Sequence, residues 1–180
     1  MNMNKVIKLS MLALVMSGCS TTGTLIAMGI QAAKKSPAVE QKEEEKLNYN
    51  YEALREFYPE EFDTIMEAAE ANDCTRPELI CVLFAIRTAE NGREGIEFGV
   101  LHPRAVDQPN SLRVQAGWCA TTISKNYKRW IESGEKIDFF TFLGNRYCPV
   151  GADNDPNGLN KHWIPNVEKI TMRNASVMYK

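Results

Sequence analysis

The sequence predicts a mainly α-helical domain over residues 49–180, preceded by an export signal and a tether. Apolar residues recur at helical spacing in five segments, and residues that start or end helices flank these segments. No segment shows the sustained alternation of apolar and polar residues that is typical of a strand, and there is no internal repeat. The length suits one domain.

The first two expected helices lie at the start of this domain. Pro59 can open a helix whose inward face carries Phe62, Ile65, Met66 and Ala69. The next helix has a capping box formed by Thr75 and Glu78, with Pro77 in its first turn. Its body, LICVLFAI, is apolar on nearly every side, which is typical of a helix surrounded by others. Asn91-Gly92 then supplies a helix stop.

Three further helices are expected in the second half of the domain. One runs from Ser111 to about Ser133 and ends at Gly134, Asp138 caps a short one, and the last covers about residues 163–172. Their expected inward residues are Leu112, Ala116, Cys119, Ile123, Tyr127 and Ile131, then Phe139, Phe142 and Leu143, then Val167 and Ile170. Irregular loops remain at 92–110 and 147–160.

The N-terminus carries the features of an exported lipoprotein. Lys5 and Lys8 precede a short apolar run at 9–16, which is too short to span a bilayer as a mature helix. The following MSGC resembles the lipobox of bacterial lipoproteins, in which cleavage after residue 18 leaves Cys19 for lipidation. The alternative is a plain signal peptide. Residues 19–48 have the composition of a disordered tether, and Ser20 favours the periplasmic face of an outer membrane.

The other cysteines suggest disulfides, and the charge excludes one class of partner. In an exported chain the even set Cys74, Cys81, Cys119 and Cys148 predicts two disulfides with three possible pairings, and the alternative is four buried thiols. The cysteine spacing lacks a CxxC pair, so no metal site is expected. A formal net charge of −2 gives no indication of nucleic-acid binding.

Glu90 is the first candidate catalytic residue because it ends the most apolar helix. The negative end of a helix and burial both disfavour an ionised carboxylate and raise its pKa. A carboxylic acid that is still protonated near neutral pH can protonate a glycosidic oxygen. The alternative is an ordinary helix end that points to water.

The order of motifs resembles the lysozyme-like superfamily over about residues 75–172. The chain has AIRTAENG running into EFGV, a long helix beginning near Gln115, and then DFFTFLGNRYCPVGADNDPNGLNKHWIPNV. These resemble bacterial and phage lytic transglycosylases of the soluble type and related glucosaminidases. The resemblance implies that Glu90 is the catalytic acid and that Tyr147 lines the cleft opposite it. The chain departs from the common ESG and GLMQ-like sequences, with ENG and FGV in their places.

No second carboxylate stands out as a nucleophile or base. Glu94, Glu97 and Asp107 lie in the following loop, and surface charge is the expected role for each. A lytic transglycosylase needs only one acid, because the muramoyl C6 hydroxyl attacks the anomeric carbon and no water is consumed. The sequence DNDPNG imitates a calcium loop but has Ile164 at the twelfth position, so a turn-rich loop is expected.

Several residues are candidates for contact with sugar. Asn160 and Trp163 follow the cleft loop, and Trp163 could equally belong to the core. Gln115 and Trp118 have the same two possible roles. His102 and His162 lack a paired nucleophile, and neither a GxSxG nor an HExxH motif is present.

The sequence therefore predicts a lipid-anchored enzyme of the cell envelope that cleaves the glycan strands of peptidoglycan without a cofactor. Lytic transglycosylation is the preferred reaction. One alternative is hydrolysis by a lysozyme or glucosaminidase, and the other is a non-catalytic lipoprotein that binds peptidoglycan. The expected partners are peptidoglycan and, through Cys19, the membrane.

Overall fold

The computed structural model describes residues 49–179, so the predicted signal peptide, Cys19 and the tether lie outside the described residues. This part of the chain is helical and contains no strand, which confirms the mainly α fold class. None of the helices within 49–179 combines the length and the apolar character needed to cross a membrane.

Six α-helices and one 3-10 helix follow each other along the described residues. They are α1 (Tyr51–Arg55), α2 (Phe62–Glu70), α3 (Pro77–Glu90), α4 (Ser111–Glu132), α5 (Phe139–Tyr147), the 3-10 helix (Leu159–His162) and α6 (Trp163–Met178). The long connections between α3 and α4 and between α5 and α6 are the two irregular loops that the sequence predicts.

Helix α3 is the centre of the domain. Every residue from Glu78 to Ile86 is buried, as the apolar run predicts. Such a helix must be covered on several sides, and α3 packs on α6, α4 and α2. Helix α4 in turn packs on α2 and α5, and α1 packs on α6. The end of α3 therefore lies where the two loops approach the core.

The structure corrects the predicted start of α3 and adds a helix. Arg76 is the N-cap and makes no side-chain cap bond, so the expected capping box of Thr75 and Glu78 does not form. Glu78 instead accepts a 2.5 Å bond from Nε of Arg76. Helix α1 escapes prediction because its five residues bury only Leu54.

The remaining predicted helices form, but several details of the predictions are wrong. Pro59 does not open α2, which begins at Phe62, and the predicted inward residues Met66, Leu112 and Ile170 are only half-buried. Asp138 caps α5 by accepting the Thr141 N–H at 2.9 Å. Ile131 is 39% exposed because it lies on the outer side of the last turn of α4, whereas its neighbour Trp130 packs on Phe139 of α5. In α5, Phe140 is buried and Phe142 is only half-buried, so the inward face is rotated from the predicted one.

The prediction of two disulfides is wrong in this structure. All four cysteines of the described residues are free, and three of them are fully buried: Cys74, Cys81 and Cys119. They occupy the core as small apolar side chains on different elements. Burial raises the pKa of Cys74 and of Cys81 to about 12, so both remain thiols rather than reactive thiolates.

Candidate active site

Glu90 is the last residue of α3. The helix ends there because Asn91 adopts a left-handed conformation with φ of 44° and donates its N–H to the Arg87 carbonyl at 3.2 Å. The Glu90 side chain is half-buried. The predicted stop at Asn91 is thus confirmed, and it leaves the carboxyl group at the border between core and loop.

Trp163 holds one oxygen of this carboxyl group. Its indole Nε1–H donates to Oε1 of Glu90 at 2.7 Å from the first turn of α6. An indole N–H can only donate, so Oε1 must be the acceptor in both protonation states. The carbonyl oxygen of a protonated carboxyl group is its stronger acceptor, so we assign the proton of protonated Glu90 to Oε2. Trp163 is 7% exposed, which contradicts a role as an open sugar platform and makes it a positioning residue.

Gly99 lies against the other oxygen. Its φ of 68° is left-handed, and a Cβ on this residue would collide with Oε2 of Glu90. The backbone of the 92–110 loop thus covers the proton-bearing oxygen at a distance that only glycine permits. The FGV sequence after Glu90, which departs from the common form, supplies this contact.

Gln115 fixes the shape of that loop. Its Oε1 accepts the N–H groups of Phe98 (3.3 Å) and Val100 (3.1 Å). Its Nε2 donates to the carbonyls of Gly95 (3.3 Å), Val100 (2.9 Å) and Ala105 (2.9 Å). The side chain has no exposed surface. The predicted sugar contact at Gln115 is therefore wrong, because both ends of its amide are occupied within the protein.

Tyr147 supports the site from behind. Its ring stacks on Trp163 with the centroids 5.2 Å apart and the planes at 23°. Its hydroxyl donates to the Phe98 carbonyl at 2.6 Å, next to Gly99. Tyr147 therefore connects α5, α6 and the loop. The sequence predicts that Tyr147 faces Glu90 across a cleft. In the structure it instead supports Trp163 and the loop.

Burial dominates the electrostatics of the site. It raises the pKa of the Glu90 carboxyl, while the Trp163 bond acts in the opposite direction because it favours the carboxylate. Burial also holds the pKa of Tyr147 well above its usual range, with the Cys119 thiol adding to the effect. For Cys148, burial followed by the charges of Glu90 and Asp155 raises the pKa to about 11. Burial thus favours the neutral forms of Tyr147 and Cys148 beside Glu90.

The 147–160 loop is held together by its own polar groups. The Asp155 carboxylate accepts the N–H groups of Leu159 (2.6 Å) and Asn160 (3.2 Å), which agrees with a turn-rich loop. Asn160 donates its side-chain N–H to the Pro149 carbonyl at 2.8 Å. That bond brings Val150 and Leu159, each 64% exposed, onto neighbouring parts of the loop.

Glu97 is the carboxylate whose position the sequence did not reveal. Glu94 and Asp107 are exposed as predicted, and Asp107 pairs with Arg93 at 2.9 Å. Glu97 is only 5% exposed, so its predicted role as surface charge is wrong. Ser111 donates a short hydrogen bond to its Oε1, and its Oε2 is buried without a partner among residues 49–179. No local sequence signal distinguishes it from Glu94.

Three surface cavities of residues 49–179 have linings that do not include Glu90, Tyr147 or Trp163. Their volumes are about 490, 670 and 460 Å³. Trp118 borders the largest and is half-buried, with its ring stacked on His102 at 4.6 Å. His102 follows Gly99 by three residues, so this cavity begins close to the acid.

Comparisons with known proteins assign no role to these residues. The chain matches no protein-family model, no curated protein and no solved structure.

Proposed function

We propose that the domain cleaves peptidoglycan glycan strands as a lytic transglycosylase, with Glu90 as its general acid and base. The observation that carries the proposal is the state of the Glu90 carboxyl group. It is half-buried, its pKa is raised by burial, and Trp163 fixes Oε1 so that the acidic proton lies on Oε2. A fixed carboxyl group with a raised pKa at the border of the core suits the protonation of a glycosidic oxygen.

The reaction needs one carboxyl group used twice. Oε2 of Glu90 donates its proton to the glycosidic oxygen as the bond from that oxygen to the anomeric carbon breaks. The resulting carboxylate then takes the proton of the muramoyl C6 hydroxyl, whose oxygen bonds to the anomeric carbon. The products are a 1,6-anhydro end and a new hydroxyl on the leaving sugar, and Glu90 is again protonated.

The surroundings of Glu90 favour this reaction over hydrolysis. The Glu90 carboxyl is bonded to Trp163 and packed against Gly99, and no carboxylate forms a hydrogen bond with it within residues 49–179. Glu97, the nearest buried carboxylate along the chain, is bonded to Ser111 at the start of α4. A retaining hydrolase needs a second carboxyl group about 5 Å from the first, and an inverting one needs it at roughly 6.5–9.5 Å.

Apolar side chains on the two loops suit a sugar polymer. Leu101 follows Gly99 by two residues and is 59% exposed, while Val150 and Leu159 are exposed on the other loop. Sugar rings have apolar faces that can pack on such side chains. We propose that these residues, rather than Gln115 or Trp163, contact the glycan strand.

The proposed location is the cell envelope, with the chain anchored through lipidated Cys19. The support is the MSGC sequence and the tether composition. Replacing Cys19 by serine is expected to move the protein from the membrane fraction to the soluble fraction. A wild-type chain that is soluble would refute the anchor.

Digestion of purified peptidoglycan tests the reaction. The full chain, purified in detergent, is expected to release anhydro muropeptides, which are lighter by one water than the products of hydrolysis. Glu90→Gln is expected to lower the rate roughly 10²–10⁴-fold, the usual contribution of a general acid. Glu94→Gln is the matched control, since Glu94 is an exposed glutamate four residues away.

Each outcome of the digestion decides between the candidate functions. Products with reducing ends would establish hydrolysis in place of transglycosylation. Binding without any product would favour the non-catalytic lipoprotein. Equal rates for the wild type and Glu90→Gln would remove the role given to Glu90.

A further inference from the structure

A groove of about 670 Å³ lies between α2 and α4, apart from the Glu90 site. Arg113 lies at one end and Arg129 at the other, with Asn72, Gly117 and Trp118 between them. A Cβ on Gly117 would lie 3.3 Å from Nδ2 of Asn72, so the small residue keeps the groove open beside that amide.

The charge of the groove is entirely positive among its lining residues. Arg113, Lys125 and Arg129 line it, and no acidic residue does. Arg113 pairs with Glu67 at 2.6 Å, whereas Lys125 and Arg129 form no ion pair within residues 49–179. At about 1.5 Å of rise per residue, Arg113 and Arg129 are roughly 24 Å apart along α4. Such a spacing fits an extended anionic ligand better than a single small anion.

Neutral side chains of the groove add hydrogen-bond acceptors to its cations. Asn126 donates its side-chain N–H to the Thr122 carbonyl at 2.8 Å, so its Oδ1 faces away from that bond. That oxygen is buried and has no partner within residues 49–179, and Asn126 is 3% exposed. The hydroxyl groups of Thr121 and Thr122 also donate hydrogen bonds, to Oδ1 of Asn72 at 2.7 Å and to the Trp118 carbonyl at 2.8 Å, so their oxygens remain available as acceptors.

Acceptors beside cations define the chemistry of the ligand. A buried acceptor without a partner is costly and is satisfied by an N–H or O–H donor. A peptide that bears carboxylates offers both amide N–H donors and negative charge. A phosphate polymer offers charge without donors, so it would leave Oδ1 of Asn126 unpaired.

The groove passes near the proposed site of cleavage. His102 stacks on Trp118 and lies three positions after Gly99, which contacts Glu90. The Cα atoms of residues 99 and 102 can therefore be at most about 11 Å apart. One polymer could reach both places.

We propose that the α2–α4 groove binds the carboxylate-bearing stem peptides of peptidoglycan, as a second and non-catalytic binding site. The ligand class follows from the cations and acceptors of the groove. The choice of stem peptides as its source rests on the proposed function. In this arrangement the groove holds a peptide while the attached glycan strand lies at Glu90.

Binding measurements on the full chain in detergent test the proposal. Two doubly substituted chains are compared in a Glu90→Gln background, which keeps the polymer intact: Lys125→Ala with Arg129→Ala, and the control Lys136→Ala with Lys169→Ala. All four lysines and arginines are exposed, and the control pair does not line the groove. The probes are whole sacculi, a free stem peptide, glycan strands stripped of stem peptides, and inorganic polyphosphate.

The expected result is selective loss of peptide binding. The groove substitutions should raise the apparent Kd for sacculi and for the free stem peptide about tenfold, equivalent to about 1.4 kcal/mol. The control pair should change it less than twofold, and added salt should weaken binding of the control chain more than that of the groove variant.

Three results would overturn the proposal: an equal loss in both doubly substituted chains, stripped glycan strands binding as tightly as whole sacculi, or tighter binding of polyphosphate than of the stem peptide. A failure of the proposed function is separate from these. If the native chain yields no cleavage product but the stem peptide still binds through Lys125 and Arg129, the groove assignment stands.

Discussion

Substitution of Gly99 by alanine tests the geometry of the site most directly. Gly99 has a φ of 68°, and a Cβ there would collide with Oε2 of Glu90, the oxygen that carries the acidic proton. Alanine at this position therefore has two separate effects. It places a residue with a side chain in a left-handed conformation, and it pushes the carboxyl group away from its place.

The size of each effect can be worked out. A left-handed conformation costs a non-glycine residue roughly 1–2 kcal/mol. Driving the Glu90 side chain away from its preferred rotamer adds about 0.5–1.5 kcal/mol. A displacement of about 1 Å in a reacting group can lower the rate about 10²-fold. We therefore expect Gly99→Ala to lose about 2–3 kcal/mol of stability and about 99% of the activity.

Gly134→Ala separates the two effects. Gly134 ends α4 with a φ of 79°, and nothing lies within 4 Å of the position of its Cβ. It should lose the backbone part of the stability, about 1–2 kcal/mol, and keep full activity. Thermal unfolding and release of muropeptides give the two measurements. The reasoning is refuted if Gly99→Ala and Gly134→Ala have the same activity.

Three other predictions concern the support of the site and the thiols. Trp163→Phe removes the bond that favours the carboxylate, so the pKa of Glu90 should rise further. Since the proposed acid acts in its protonated form, the decline of kcat/KM at alkaline pH should move to higher pH. In the control Trp118→Phe, the pH of this decline should stay the same. Gln115→Ala should cost roughly 3–5 kcal/mol in denaturant unfolding, because a cavity forms and buried backbone groups lose their partners. Gln108→Ala, which loses one bond to Val106, should cost less than about 1 kcal/mol; similar losses would refute the role of Gln115. The last prediction concerns Cys74, Cys81, Cys119 and Cys148 in a Cys19→Ser chain. Thiol titration in denaturant without reductant should find all four as free thiols, whereas two disulfides would leave none.

The fold was predictable where the sequence carries a local signal. The apolar residues on every side of α3 predict its burial directly. Asp138 and Asn91 mark helix ends through interactions within three or four residues. Thr75 was misleading because a capping box competes with other partners, and Glu78 pairs with Arg76 instead.

The site was predictable only at Glu90. Its position at the end of α3 is a local fact, so the sequence can indicate it. The bond from Trp163 joins residues 73 positions apart, and the contacts of Gln115 span 10 to 20 positions. Their polar atoms could equally have faced a ligand. Burial of Glu97 is likewise decided by the start of α4, through Ser111.

The five bonds of Gln115 divide the 92–110 loop into a frame and a surface. The frame consists of backbone groups that one side chain of α4 holds in place, so it does not depend on which residues the loop exposes. Leu101 and Arg104 are exposed on that frame. Substitutions at these two positions can therefore change the exposed surface of the loop while Glu90 keeps its environment. Under the proposed function, this makes the loop a place where glycan specificity can be redesigned without altering the surroundings of Glu90.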